Sequence, residues 1–201
     1  MLEPLLVYVV DDDPAVVDSV DALLSQHGYE VLGFSNGQQF LDEADLSGPA
    51  CLISDVQMPI VNGAELLNRL RELNCPISVI VVTGVADVPM AVALMESGAV
   101  TLLEKPYDPA ALLDAVHRAL LASDQRWQKQ QSDRSVNDRL HSLSEEERSV
   151  MKLMLTGEPN KNISSRLHLS MRTVDRRRQS ILRKMQVDSV PELALLLGPG
   201  H

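Results

Sequence analysis

Residues 5–10 read LLVYVV, and this apolar run stops at three successive carboxylates, Asp11, Asp12 and Asp13, followed by Pro14. A short Val/Leu run of this kind buries itself as a strand covered on both faces, and a proline after the charges suits the first turn of a helix. The pattern recurs down the chain. Runs at 5–10, 29–34, 50–54, 77–83 and 101–103 read as strands, and they alternate with segments of helical period at 16–26, 37–44, 64–73, 90–96 and 110–122. Five such β-α units restrict the fold to a parallel sheet with helices on both faces. Ligands of these sheets bind outside the carboxyl ends of the strands, where the strand order reverses. The charged residues fall at those ends.

The rest of the chain is different. The formal net charge of −10 conceals a division: residues 1–123 hold 4 basic and 18 acidic residues, a net −14, whereas residues 124–201 hold 14 basic and 10 acidic, a net +4. The polar, Gln-rich stretch SDQRWQKQQSDRSVNDRLHS lies between them and reads as a linker or a solvent-exposed helix. These features divide the chain into a domain at 1–123, a linker at 124–138 and a second domain at 139–201. The apolar runs are far shorter than the roughly 20 residues of a membrane span, and MLEPLL lacks a basic signal-peptide start, so a cytoplasmic protein without membrane association is expected. Cys51 and Cys75 each adjoin apolar segments and read as small buried hydrophobes, not as a disulfide or metal pair.

The strand ends carry the chemistry. Asp11-Asp12-Asp13 closes the first, Asp55 the third, Thr83-Gly84 the fourth and Glu104-Lys105-Pro106 the fifth. Clustered carboxylates repel unless a hard cation joins them, and Mg²⁺ takes oxygen ligands while keeping several waters. Such a cation would bring a phosphoryl donor to Asp55. A carboxylate oxygen can attack phosphorus while the ion, the Lys105 ammonium and the Thr83 hydroxyl share the charge on the equatorial oxygens. Taken singly, Asp12 or Asp13 reads as a helix cap, Thr83 as a strand residue and Lys105 as a solvated head before a turn. Their conjunction at four strand ends is what points to a site.

The stretches VVDDDPAV, SDVQMPIVNG, VVTGVADVPMAVALMESGAV and LLEKPYDPAAL resemble the receiver domain of two-component response regulators, with Thr83 and Lys105 lying 28 and 50 positions after Asp55. The resemblance covers about the first 120 residues. It implies a flavodoxin-like (βα)5 fold with a five-stranded parallel sheet. It further implies that Asp55 is the phosphoacceptor, that Asp11, Asp12, Asp55 and the Gln57 backbone carbonyl hold Mg²⁺, and that Thr83 and Lys105 engage the phosphoryl group. Asp13 is, by this match, an ordinary residue. One position departs from the pattern: Leu102 stands three residues before the lysine, where many receivers carry Tyr or Phe.

The basic half reads as helices. Ser144-Glu145-Glu146-Glu147 is a capping-box pattern that opens a helix stopping at Gly157. A short helix follows at 160–167, then a turn through His168-Leu169-Ser170 into MRTVDRRRQSILRKM, and a last helix at 190–197. At about 100° per residue, Met171, Val174, Ile181, Leu182 and Met185 of the third helix form an apolar arc. Arg172, Arg176, Gln179 and Arg183 line the opposite side, with Asp175 at its edge, and these types suit base edges in a major groove. Arg178 falls inside the apolar arc and reads as a structural arginine with its stem packed and its head paired; Arg177 borders the two faces and suits a phosphate contact.

The segment from Leu143 onward resembles a LuxR-type helix-turn-helix, matching at Gly157, Asn160, Lys161, Ile163, Leu167, Ser170, Thr173, Val174 and Lys184 among others. It departs at Asn162, Ser164 and Arg176-Arg177. This implies an all-α, four-helix DNA-binding domain with Lys161, Arg172, Thr173, Asp175, Arg176, Arg177, Gln179 and Arg183 toward DNA, and dimer contact through the last helix. The two resemblances together imply a NarL/FixJ-type response regulator. Its partners would be a sensor histidine kinase, double-stranded DNA, a second copy of the chain on activation, and RNA polymerase. The receiver would accept a phosphoryl group without being an enzyme beyond slow self-dephosphorylation. Two rivals remain: a haloacid-dehalogenase-like phosphatase built on Asp11-x-Asp13, and a phosphorylation-independent regulator whose receiver is an interaction module, the latter favoured by Leu102.

Overall fold

The computed structural model describes residues 5–85 and 87–198, so the ends of the two expected domains, 1–4 and 199–201, lie outside the described residues. The chain divides into two compact units, Met1–Gln128 and Lys129–His201.

In the first unit, β1 (Leu5–Val10), β2 (Tyr29–Phe34), β3 (Cys51–Asp55), β4 (Ser78–Thr83) and β5 (Thr101–Glu104) form one parallel sheet in the order β2-β1-β3-β4-β5. Residues alternate between its faces, so two cores form. Tyr8, Val10, Leu52, Val79 and Val81 pack under α2 (Gly37–Glu43), α3 (Gly63–Glu72) and α4 (Val88–Glu96). Val7, Val9, Ile53, Ile80 and Val82 pack under α1 (Pro14–Ser25) and the first half of α5 (Pro109–His141). The first core centres on Tyr8, Phe34 and Phe40, with ring centroids 5.2–5.9 Å apart. The chain leaves β1 to one side for β2 and returns to the other for β3. The order therefore reverses between β1 and β3, where Asp11 and Asp55 stand.

Local chemistry sets the boundaries. Asp13 caps α1, accepting the Ala15 N–H at 2.9 Å, so the helix starts at Pro14, two residues earlier than the periodicity predicts. Asp87 does the same for α4, accepting from Met90 N at 2.7 Å. The β3–α3 connection is tight. A Cβ at Gly63 would overlap the Asp55 carbonyl oxygen, so only glycine fits. Ile60 has φ 71°, and Val61 N–H bonds to Pro59 O across it at 2.9 Å, forming a γ-turn.

The expected linker at 124–138 is helical throughout, lying inside the 33-residue α5. Its sequence has neither Gly nor Pro from 110 to 141 to stop it. Its beginning is tied to the first unit. Ser123 Oγ accepts from Ala50 N and donates to Pro76 O, both at 2.9 Å; Arg126 donates to Ser78 Oγ at 2.6 Å; Trp127 Nε1 donates to Ser47 O at 3.2 Å.

In the second unit, Val136 and Leu140 from the end of α5 join a core built by α6 (Glu145–Leu155), α7 (Asn160–Leu167), α8 (Met171–Met185) and α9 (Val190–Leu197). The α7–α8 turn passes through His168 in the left-handed region, and Ser170 caps α8 through Thr173 N at 3.1 Å. Arg178 is half-buried, as a packed stem requires, but it makes no ion pair with another described residue, contrary to expectation.

Ser123 is fully buried, and its hydroxyl joins two backbone groups that have lost water. Ser123→Ala should therefore cost about 2 kcal/mol, read as a lower urea midpoint for the first unit. An unchanged midpoint would mean that the two groups find other partners.

Candidate functional site

Four strand ends converge at the carboxyl edge of the sheet. Parallel register aligns Val10 with Ser54, Asp55 with Val82 and Val82 with Leu103, which brings Asp11 level with Asp55 and sets Lys105 two positions beyond it at the same edge. Lys105 Nζ donates to Asp11 Oδ2 at 2.7 Å and to Asp55 Oδ1 at 2.9 Å. Asp11 and Asp55 are buried. The backbone fixes the carboxylates further: Asp13 N–H donates to Asp11 Oδ1 at 2.9 Å, and Gln57 N–H donates to Asp55 Oδ2 at 2.6 Å. Burial alone would pull the Lys105 ammonium down, but the hydrogen bonds it donates to Asp11 and Asp55 outweigh it and raise its pKa. The lysine is thus cationic at any physiological pH.

Asp12 is exposed at the rim, and Asp13 is spent on the α1 cap. Thr83 is buried, and its hydroxyl donates to Val85 O at 2.9 Å, so it faces the β4–α4 loop. Leu102 is half-buried against the cluster that contains Met90 and Leu94. Tyr107, after the lysine, packs on the opposite face of the sheet. Asp11, Asp12, Asp55 and the Gln57 carbonyl, the expected ligands, all offer oxygen, the donor type a hard divalent cation takes. Among the described residues no three His, Cys, Asp or Glu side chains are grouped to hold an ion on their own. Mg²⁺ binds through one or two carboxylates plus waters and needs no such cage.

In the second unit, Arg172, Asp175, Arg176, Gln179 and Arg183 are exposed along one side of α8, and Lys161 is exposed on α7. Three of the expected DNA contacts, Asp175, Thr173 and Arg177, are also engaged within the protein. Asp175 accepts from Asn160 Nδ2 at 2.6 Å, linking α8 to the start of α7, and the Thr173 hydroxyl lies 2.8 Å from Ser170 Oγ in the α8 cap. Arg177 is half-buried and pairs with Glu146 at 3.6 Å.

One residue does more than the sequence reading assigned. Glu147 completes the capping box with Ser144, but its carboxylate also accepts from Lys184 Nζ and Ser180 Oγ of α8, each at 2.7 Å. Ser180 and Lys184, one turn apart, were the available signal. Burial opposes ionisation of Glu147, but the Lys184, Ser144 and Ser180 hydrogen bonds prevail and hold its carboxyl at about 2.

This pocket on a doubly wound sheet, followed by a helix-turn-helix, defines a phosphoryl-accepting regulator with a DNA-binding output. Residues 7–117 match the response regulator receiver domain, and residues 141–197 match the luxR family of bacterial regulatory proteins. The transcriptional regulatory protein FixJ of Azorhizobium caulinodans is 39% identical over 201 residues, spanning 98% of this chain and 95% of that protein. The response regulator protein TodT of Pseudomonas putida is 35% identical over 188 residues, spanning 94% and 83%. The solved structure of the response regulator StyR superposes with a TM-score of 0.87 at 32% identity, covering 96% of this chain and 98% of that one. The chain belongs to the two-component response regulators with a receiver domain and a LuxR-type DNA-binding domain. A receiver accepts a phosphoryl group and is not an enzyme, so family membership replaces the phosphatase-like reading of Asp11-x-Asp13. Among the described residues, no helix is long and apolar enough to cross a membrane.

Because Glu147 titrates near 2 in the fold against an ordinary 4.5, its ionised form stabilises the second unit above about pH 4.5, and that contribution fades as pH falls toward 2. Glu147→Gln should lower the unfolding midpoint at neutral pH and converge on the wild type in acid. A difference that stayed constant down to about pH 2 would rule out this carboxyl as the source.

Proposed function

We propose that a sensor histidine kinase transfers a phosphoryl group to Asp55 and that the modified chain, as a homodimer, binds double-stranded DNA through the exposed face of α8 to regulate transcription. The observation that carries this reading is the Lys105 bridge between Asp55 and Asp11 at the point where strand order reverses. In the transfer, an Asp55 carboxylate oxygen forms a P–O bond as the donor's bond to phosphorus breaks. The Lys105 ammonium is placed to neutralise the incoming phosphoryl oxygens. Thr83 would exchange its Val85 carbonyl partner for a phosphoryl oxygen, and Val85 heads the loop that leads to α4. Asp11, Asp12, Asp55 and the Gln57 carbonyl would hold Mg²⁺, which supplies charge neutralisation on the transferring group when bound. With Leu102 in place of a ring, the response is a repacking of Met90, Leu94 and Leu102.

Arg172, Arg176, Gln179 and Arg183 read bases and backbone, with Lys161, Thr173, Asp175 and Arg177 at the margin. Leu195 projects from α9 with 82% of its surface exposed, which supports α9 as a dimer contact. RNA polymerase is the next partner in the pathway, and the protein acts in the cytoplasm. Leu102 also supports a second reading, in which the receiver serves as an interaction module and DNA binding is independent of phosphorylation.

Acetyl phosphate with Mg²⁺ should add one phosphoryl mass to the chain, labile and absent from Asp55→Asn, with a parallel shift to dimer. Omitting Mg²⁺ should abolish the adduct. If Asp55→Asn binds DNA as tightly as phosphorylated wild type, the phosphorylation-independent reading holds instead.

A further inference from the structure

A polar cavity of about 590 Å³ opens between the start of α6 and the exposed side of α8. Four cations line it, Arg176, Arg177, Arg183 and Lys184, and two carboxylates, Glu146 and Glu147. The cations differ in how far they are committed. Lys184 is locked: it donates at 2.7 Å to the buried Glu147 and at 3.0 Å to Ser142 O. Arg176 and Arg183 are exposed. Arg177 is intermediate, with a side chain only 20% exposed, paired at 3.6 Å with a Glu146 side chain that is 69% exposed.

We propose that Glu146 is a positioning residue that withholds Arg177 from the DNA phosphate backbone and so sets the sequence-independent share of DNA affinity. This rests on the reading of α8 as the DNA-facing helix. A backbone phosphate approaching Arg176 and Arg183 enters the cavity that Arg177 also lines. There it must compete with Glu146 for the guanidinium. The pair is long and solvated, so the opposition is modest, unlike the closed Lys184–Glu147 contact. Phosphate contacts supply non-specific affinity and its salt dependence, whereas bases are read by other side chains on the same helix.

The test is fluorescence anisotropy of the full-length protein on a short mixed-sequence duplex over a salt series. Glu146→Gln should bind about two- to five-fold more tightly and steepen the slope of log affinity against log salt by about one. Arg177→Gln alone should change little, and the double variant should return to the wild-type affinity and slope. Unchanged affinity and slope in Glu146→Gln would overturn the proposal, as would a gain that persists in the double variant, because the carboxylate would then act by direct repulsion. Arg176→Ala and Arg183→Ala serve as the separate control. If they weaken binding while Glu146→Gln has no effect, the DNA-facing reading stands and only the role of Glu146 falls. If they too are silent, the reading of α8 falls and the proposal with it.

Discussion

Lys105 lets two carboxylates lie buried on one side of the same ammonium. Without it, Asp11 and Asp55 would face each other across the β1–β3 crevice with only backbone N–H groups to offset their charge, and like charges at such range disfavour joint ionisation. The rest of the first unit serves that arrangement. Parallel strands bring the three contributing ends to one edge, the hydrophobic layers on either face fix their spacing, and the two flanking turns donate Asp13 N–H and Gln57 N–H to the carboxylates. The site is thus a property of the sheet edge as a whole and not of any one loop.

The second unit uses the same chemical pair for a different end. Lys184 and Glu147 also join an ammonium to a buried carboxylate, but here the carboxylate accepts further from the Ser144 N–H and the Ser180 hydroxyl, so its bonds hold the two helices together. The pair joins the start of α6 to the far end of α8. Arg139 adds to this by donating to Met185 O at 3.1 Å, the last residue of α8. The exposed arginines of α8 therefore stand on a helix whose buried side is held by both packing and charge.

Much of this was legible in the sequence, because strand-length apolar runs, their charged ends and helical periods are local signals. The five strands, the Asp55/Lys105 conjunction, the Ser144 capping box and the exposed and buried sides of α8 follow from them. Other features depend on partners far along the chain. That Asp11 is buried beside Lys105 while Asp12 faces solvent cannot be told from three identical neighbours. The Ser123 hydroxyl is one polar atom in a helix until Ala50 and Pro76 are known to meet it. Asp87 was readable as a cap before Pro89, but the periodicity of α4 begins too late to include it. The Gln-rich stretch carries no apolar stripe, so its composition left a linker and a solvent-exposed helix equally open, and the helix is what forms.

Ile60 occupies a backbone conformation that its branched side chain opposes, and it does so without burial to compensate, being 77% exposed. Its neighbours on either side explain how it persists: Met58 and Val61 are sunk in the core, and Gly63 lies flush against the Asp55 carbonyl. The segment after Asp55 is consequently held between anchors, with its crest at Ile60. The nine positions from Asp55 to Gly63 behave as a fixed length of chain, one that could tolerate changes of side chain at its crest far better than the gain or loss of a single residue.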